Sequence, residues 1–186
     1  EIIKEDCIEE LLGYCMRKEV GIVGARLYYD DGTLQHGGVI IGLGGVAGHA
    51  FLGLPMGEPG YFARALLTQD LSAVTAACMM VKRSVYEEVG GFDSAFAVAF
   101  NDVDFCLKVR QAGYLVVYHP YAELIHYESK SRGYDDTAEK INRFQSEIQL
   151  FQGRWKAFLE QGDPYYNPNL TLDRNDFSVN LNSRQK

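Results

Sequence analysis

Gly21-Ile22-Val23-Gly24-Ala25-Arg26-Leu27-Tyr28-Tyr29 is almost unbroken by polar side chains and reads as a buried strand. Asp30-Asp31-Gly32-Thr33 follows with turn chemistry, and Leu34 to Gly42 returns as a second strand, so the pair is expected to form a hairpin. Ahead of it, residues 5–18 place Ile8, Leu11, Leu12 and Cys15 at the spacing of a one-faced helix. A strand that must be covered, with helices beside it, implies an α/β layered fold.

The rest of the chain continues the mixture. Residues 42–61 hold seven glycines and two prolines, the composition of a loop able to cover a ligand. Ser72 to Lys82 is strand-like, and Ser84 to Val89 is a short helix with Ser84 and Glu87 as a capping box and Gly90 as its terminator. Asn101 to Ala112 forms a longer helix, with Asn101 as N-cap, Asp104 at the third position and Gly113 at the end. Tyr114 to Tyr118 and Ala122 to His126 read as two short strands split by His119-Pro120. Asp136 and Glu139 then open a long amphipathic helix with Ile141, Phe144, Ile148, Phe151, Trp155 and Phe158 on one stripe. Residues 1–162 form the domain, and 163–186 an extended tail whose aromatics pack along it.

Composition limits what such a domain can do. With 47% hydrophobic residues in a chain of 186, there is enough apolar material for a real core. A net charge of −7 argues against nucleic acid as a partner, since phosphate contacts need clustered Lys and Arg. No apolar run reaches the length of a membrane span, and Glu1-Ile2-Ile3-Lys4-Glu5-Asp6 lacks the pattern of a signal peptide. Cys7, Cys15, Cys78 and Cys106 are scattered without a C-x-x-C pair, as expected of buried thiols in a reduced cytoplasm. The chain opens directly in a charged, helical-looking segment without Met, which reads as a piece of something longer.

Several segments in order carry a resemblance. They are Val20-Gly21-Ile22-Val23-Gly24-Ala25, Gly32-Thr33-Leu34-Gln35-His36-Gly37-Gly38-Val39 and Gly91-Phe92-Asp93. Asn101-Asp102-Val103-Asp104-Phe105-Cys106-Leu107-Lys108, Pro120 to Ser129 and Asp163-Pro164-Tyr165-Tyr166-Asn167-Pro168 follow. Together they resemble family 2 glycosyltransferases, most of all bacterial enzymes of surface-polysaccharide and rhamnosyl assembly. The resemblance implies a GT-A-like mixed sheet flanked by helices, incomplete here because the N-terminal nucleotide-binding half is missing. It implies transfer with inversion from a nucleotide-diphospho-sugar donor to a glycan or lipid-linked acceptor, with a divalent metal (Mg²⁺ or Mn²⁺) bound in the full-length enzyme. The parent would work in the cytoplasm, peripherally at the inner face of the membrane. Apolar surface uncovered by the missing half would serve a homodimer contact, and the isolated fragment would be inactive.

An inverting displacement needs a carboxylate beside the acceptor hydroxyl. By the resemblance Asp102 is that base, with Asn101 and Asp93 on the acceptor side; the family's commoner pair at this helix start is Glu-Asp. The plainer reading is that Asn101, Asp102 and Asp104 merely cap a helix and complement its dipole. Asp102 and Asp104, two apart on a helix, point away from each other and do not make a metal pair. His126, at a strand end before a polar loop, is a metal ligand by the resemblance and an ordinary strand-end histidine without it. Lys130 and Arg132 in that loop either cover the donor pyrophosphate or are simply solvated. The alternative to an enzyme is a non-catalytic carbohydrate-binding or interaction module derived from one.

Overall fold

The computed structural model describes residues 1–127 and 137–181. Its elements are helix α1 (Cys7–Cys15), strands β1 (Val20–Tyr28), β2 (Leu34–His36), β3 (Val39–Ile41), β4 (Ala47–His49), β5 (Gln69–Leu71) and β6 (Met79–Val81), helices α2 (Arg83–Glu88) and α3 (Asn101–Gln111), strand β7 (Leu115–Ile125), and helices α4 (Ala138–Arg154) and α5 (Lys156–Gln161). The fold is α/β: a curled mixed sheet with helices on both faces, compatible with a fragment of the GT-A type.

Strand β1 is buried along its whole length. It runs parallel to β7 on one side and antiparallel to β6 and β2 on the other, and β5 lies beyond β7. Its side chains alternate between two cores, as a strand covered on both faces requires. Val23, Ala25 and Leu27 pack on one face with Cys7, Leu11 and Cys15 of α1. Ile22 faces the larger core, where Phe105, Leu107 and Val109 of α3 meet Phe151 and Trp155. The main cover on that side therefore begins at the helix that carries Asp102.

The expected hairpin forms, but its second strand is broken. Only Leu34–His36 pairs with β1; Gly38, at φ 102°, turns the chain so that β3 pairs antiparallel with β4 in a separate two-stranded sheet. A Cβ at Gly38 would stand 2.2 Å from the Leu71 side chain, so the turn needs glycine for space as well as for φ. Likewise Ser72 to Lys82 is not one strand: it is divided by a 3₁₀ turn at Ala76–Cys78 before β6.

The opposite correction applies at His119-Pro120, where the chain continues as the single strand β7. The register with β1 passes from Ala25↔His119 to Arg26↔Glu123, so the residues between are accommodated as a bulge, a permitted place for proline inside a sheet. The long C-terminal helix also divides, at Trp155, into α4 and α5. Phe151 and Trp155 are core, whereas Ile141 and Phe144 near its start are exposed. Thr137 caps α4 by accepting from the Lys140 N–H at 3.3 Å; Asp136 lies outside the described residues.

The capping box at α2 does not form either. Glu87 pairs with Arg83 at 2.9 Å, and the N-cap position is Lys82, without a side-chain cap bond. The tail folds back over the domain. Asp163 accepts from the Ile41 N–H at 2.9 Å and the Ser72 hydroxyl at 2.7 Å, and the Phe177 ring stacks on Phe51 at 4.4 Å. No helix among the described residues is long and apolar enough to cross a membrane.

Candidate active site

The turn at Gly90-Gly91 (φ 78° and 62°) leads from α2 into residues 92–100, which deliver the chain to the start of α3. Phe100 is the N-cap of α3, left-handed at φ 61°, and Asn101 is its first helical residue, which corrects the expected cap by one position. A non-glycine residue held there stores about 1–3 kcal/mol, so neighbouring contacts must fix it. Phe144 stacks on the Phe100 ring at 5.8 Å and Phe151 lies at 5.4 Å.

Glu147 does the rest. Its carboxylate is buried on α4 and accepts from two consecutive main-chain groups, Val98 N–H at 2.9 Å and Ala99 N–H at 3.0 Å. Glu147→Gln keeps one acceptor but turns an amide N–H toward a main-chain donor. It is expected to cost about 1–3 kcal/mol. Urea melts would show the loss, and the Val98 and Ala99 amides should exchange faster with solvent. Unchanged protection of both amides would mean that Glu147 does not hold this loop.

Asp104 is a different residue from the helix-dipole partner expected of it. It is fully buried, and its Oδ1 accepts from the Trp155 Nε1–H and from Arg154 Nη1, both at 2.9 Å. Arg154 also reaches Asp93 Oδ2 at 2.8 Å. Asp93 accepts from the Ala95 N–H at 2.9 Å as well; that hydrogen bond, then the Arg154 contact, holds its carboxyl below the usual carboxylate range. Lys108 donates to the Gly91 carbonyl at 2.6 Å. The loop, α3 and α4 are thus locked together by charge-assisted bonds.

Asp102 remains outside this lock, half-buried. Asn101 Oδ1 accepts from the Asp102 N–H at 2.7 Å, and Asp102 Oδ1 accepts from the Val103 N–H at 2.9 Å. Its Oδ2 accepts from the Ala76 N–H at 3.1 Å, across from α3. Asp102 lines a cleft of about 410 Å³ with Val39, His49, Phe100, Val103 and Phe144. An oriented carboxylate between aromatic rings and an imidazole is suited to a hydroxyl-bearing ring. Asp93 is not among the residues that line this cleft.

His126 follows β7, half-buried. Its Nδ1 lies 2.7 Å from Gln35 Oε1, which can only accept, so Nδ1 carries the hydrogen and Nε2 keeps its lone pair. Yet among the described residues no group of three His, Cys, Asp or Glu side chains could hold a metal ion. The described residues bring His126 no partner for such a site. Lys130 and Arg132 lie outside the described residues.

Sequence reasoning missed Glu147, Arg154, His36 and His49. His36 is fully buried, with Nδ1 at 2.9 Å from His49 Nδ1. Burial, then the His49 ring, holds the His36 pKa well below that of an ordinary imidazole. Well above pH 6.5 both folded and unfolded His36 are neutral and the lowered pKa contributes nothing to stability. As pH falls below that value the unfolded chain takes up a proton that the folded chain refuses, so stability declines down to the folded pKa. The slope should approach about 1.4 kcal/mol per pH unit. Urea melts from pH 7.5 to 5 should show this slope in the parent chain and lose it in His36→Asn; equal slopes would place the effect elsewhere.

No protein-family model matches the chain, and no solved structure does. Among curated proteins, it is 53% identical over 178 residues, 95% of its length, to a protein of Sinorhizobium fredii (strain NBRC 101917 / NGR234) named uncharacterized protein y4gI. Over 178 residues it is 38% identical to the O-antigen biosynthesis protein RfbC of Myxococcus xanthus. Over 62 residues, 33% of the chain, it is 39% identical to N-acetylglucosaminyl-diphospho-decaprenol L-rhamnosyltransferase of Mycobacterium tuberculosis (strain ATCC 25618 / H37Rv). The matches span only 20%, 14% and 20% of these relatives' own lengths. The two functional names support a glycosyltransferase-like relationship in polysaccharide synthesis.

Proposed function

We propose that the chain is the acceptor side of an inverting glycosyltransferase of family 2 that works in cell-surface polysaccharide synthesis. The observation that carries this reading is the division of labour at the start of α3. Asp104 is consumed by Trp155 and Arg154, while Asp102 is oriented by two main-chain N–H groups at the wall of a cleft.

In this scheme an acceptor sugar lies in the cleft with one hydroxyl against Asp102. As that oxygen bonds to the anomeric carbon of the donor sugar, its proton passes to the Asp102 carboxylate. The bond from the anomeric carbon to the nucleoside diphosphate breaks on the opposite face, and configuration inverts. Asn101 accepts from the Asp102 N–H and so fixes its main chain, and Asp93 closes the turn that leads to α3; neither lines the cleft, so both would serve the acceptor side only by positioning. His126 would be one ligand of a divalent cation, Mg²⁺ or Mn²⁺, with Lys130 and Arg132 near the donor pyrophosphate. No step depends on that metal here, because the described residues do not make its site.

The test has two arms. A polypeptide extended to the length of the relatives, incubated with labelled nucleotide-diphospho-sugars and lipid-linked or glycan acceptors, should transfer sugar. Failure across the panel would sink the reading. Calorimetric titration of UDP with Mn²⁺ into the 186-residue chain should show no saturation in the micromolar range. Micromolar binding would contradict a donor site supplied from outside it.

A further inference from the structure

The two histidines missed by sequence reasoning form a unit whose hydrogen positions follow from their partners. The Thr75 main-chain N–H points at His36 Nε2 at 3.4 Å, and a main-chain N–H can only donate. His36 Nε2 is therefore the acceptor, and neutral His36 carries its hydrogen on Nδ1. That nitrogen lies 2.9 Å from His49 Nδ1, a distance that holds one hydrogen between the rings. His36 donates, His49 Nδ1 accepts, and neutral His49 must carry its own hydrogen on Nε2. The rings meet edge to face, with centroids 5.1 Å apart, and Tyr118 packs edge-on against His36 at 6.2 Å.

The unit is joined to Asp102 by the shortest possible link. Thr75 N–H serves His36, and the next main-chain group, Ala76 N–H, serves Asp102 Oδ2 at 3.1 Å. His49 and Asp102 line the same cleft. Charged groups also face His49 from the tail, where Asp173, Arg174 and Asp176 line a neighbouring recess with it. From β7, Tyr118 turns its hydroxyl away to the Ala65 carbonyl.

We propose that His49 is a contact residue for the acceptor, presenting an Nε2–H donor to a hydroxyl or carbonyl oxygen of a glycan in the Asp102 cleft, and that His36 is the positioning residue that sets its tautomer. The assignment rests on the acceptor-side reading of the cleft. It gives the cleft two complementary functions: Asp102 accepts hydrogen from one hydroxyl while His49 donates to another group. Buried His36, in contact with His49, the Thr75 N–H and the Tyr118 ring, has a role in this arrangement.

Long-range ¹H–¹⁵N spectra of the ¹⁵N-labelled chain at pH 7.5 should show the Nδ1–H tautomer for His36 and the Nε2–H tautomer for His49. The opposite tautomers, or averaging between both, would overturn the lock. In the extended polypeptide, His49→Ala should raise the acceptor KM about tenfold, the size of one lost hydrogen bond, with a smaller change in kcat. His49→Gln, which carries an N–H at similar reach, should recover most of it; equal KM values in all three proteins would remove His49 as a contact. If the extended polypeptide transfers no sugar, the functional reading falls and the chain itself decides His49. Methyl N-acetyl-β-glucosaminide, titrated to its solubility limit, should shift the His49 ring signals in the parent chain and leave those of His119 unmoved. Silence at His49 there would overturn the contact.

Discussion

Replacing Asp104 with alanine is expected to lower the free energy of unfolding by about 3 kcal/mol. The carboxylate is wholly buried, and its Oδ1 satisfies the Trp155 indole N–H and Arg154 Nη1, both at 2.9 Å. Removing one partner of a buried pair costs about 3–5 kcal/mol, because the other partners are left unpaired in a poor solvent. The lower end applies here, since the Arg154 side chain is 31% exposed and keeps Asp93. Lys108 stands 3.7 Å from Oδ2, beyond hydrogen-bond reach, and adds little to the cost. In a domain of this size 1 kcal/mol moves the melting temperature by about 2–4 °C, so a drop of about 6–12 °C should appear. Calorimetry with a matching urea series tests it: an unchanged urea slope would place the loss in the folded state. A shift below 2 °C would mean that the network around Arg154 is decorative.

Asp104 also shows where reading the sequence stops. Its partners are some fifty residues away, on a helix that sequence periodicity reads only as an apolar stripe. Trp155 was legible as core, but nothing local says that its N–H needs an acceptor on α3. Glu147 looked like one more polar position on that helix; only the folded chain sets it against Val98 and Ala99. Local chemistry was readable where it is local. The unbroken apolar run became β1, the Asp30–Thr33 turn closed the β1–β2 hairpin, and Asn101 and Gly113 bracketed α3 to within a residue or two. Pro120 misled because a bulge lets a strand keep a proline, and Gly38 misled because its turn sends β3 to a different sheet. His49 was hidden in a glycine-rich loop, and only its pairing with buried His36 gives it significance.

Asp102→Asn in the extended polypeptide should reduce kcat between about a hundredfold and ten-thousandfold, the range ordinarily supplied by a positioned general base. The substitution is nearly isosteric. Its remaining oxygen can accept from either Ala76 N–H or Val103 N–H, so the start of α3 should persist with a stability loss of about 1 kcal/mol. The acceptor KM should change little, because the amide still fills the same place in the cleft and only the proton acceptor is gone. That split separates three accounts of one residue. A base predicts lost turnover with the fold and acceptor affinity retained. A helix-capping residue predicts a stability loss in the melt and turnover that survives in proportion to the folded fraction. A non-catalytic carbohydrate-binding module predicts no transfer in either protein, with glycan binding unaltered. Preserved kcat in a folded variant would remove Asp102 as base. The proton would then need an acceptor from outside this cleft, since its imidazole, His49, already carries a hydrogen on Nε2 and accepts from His36 on Nδ1.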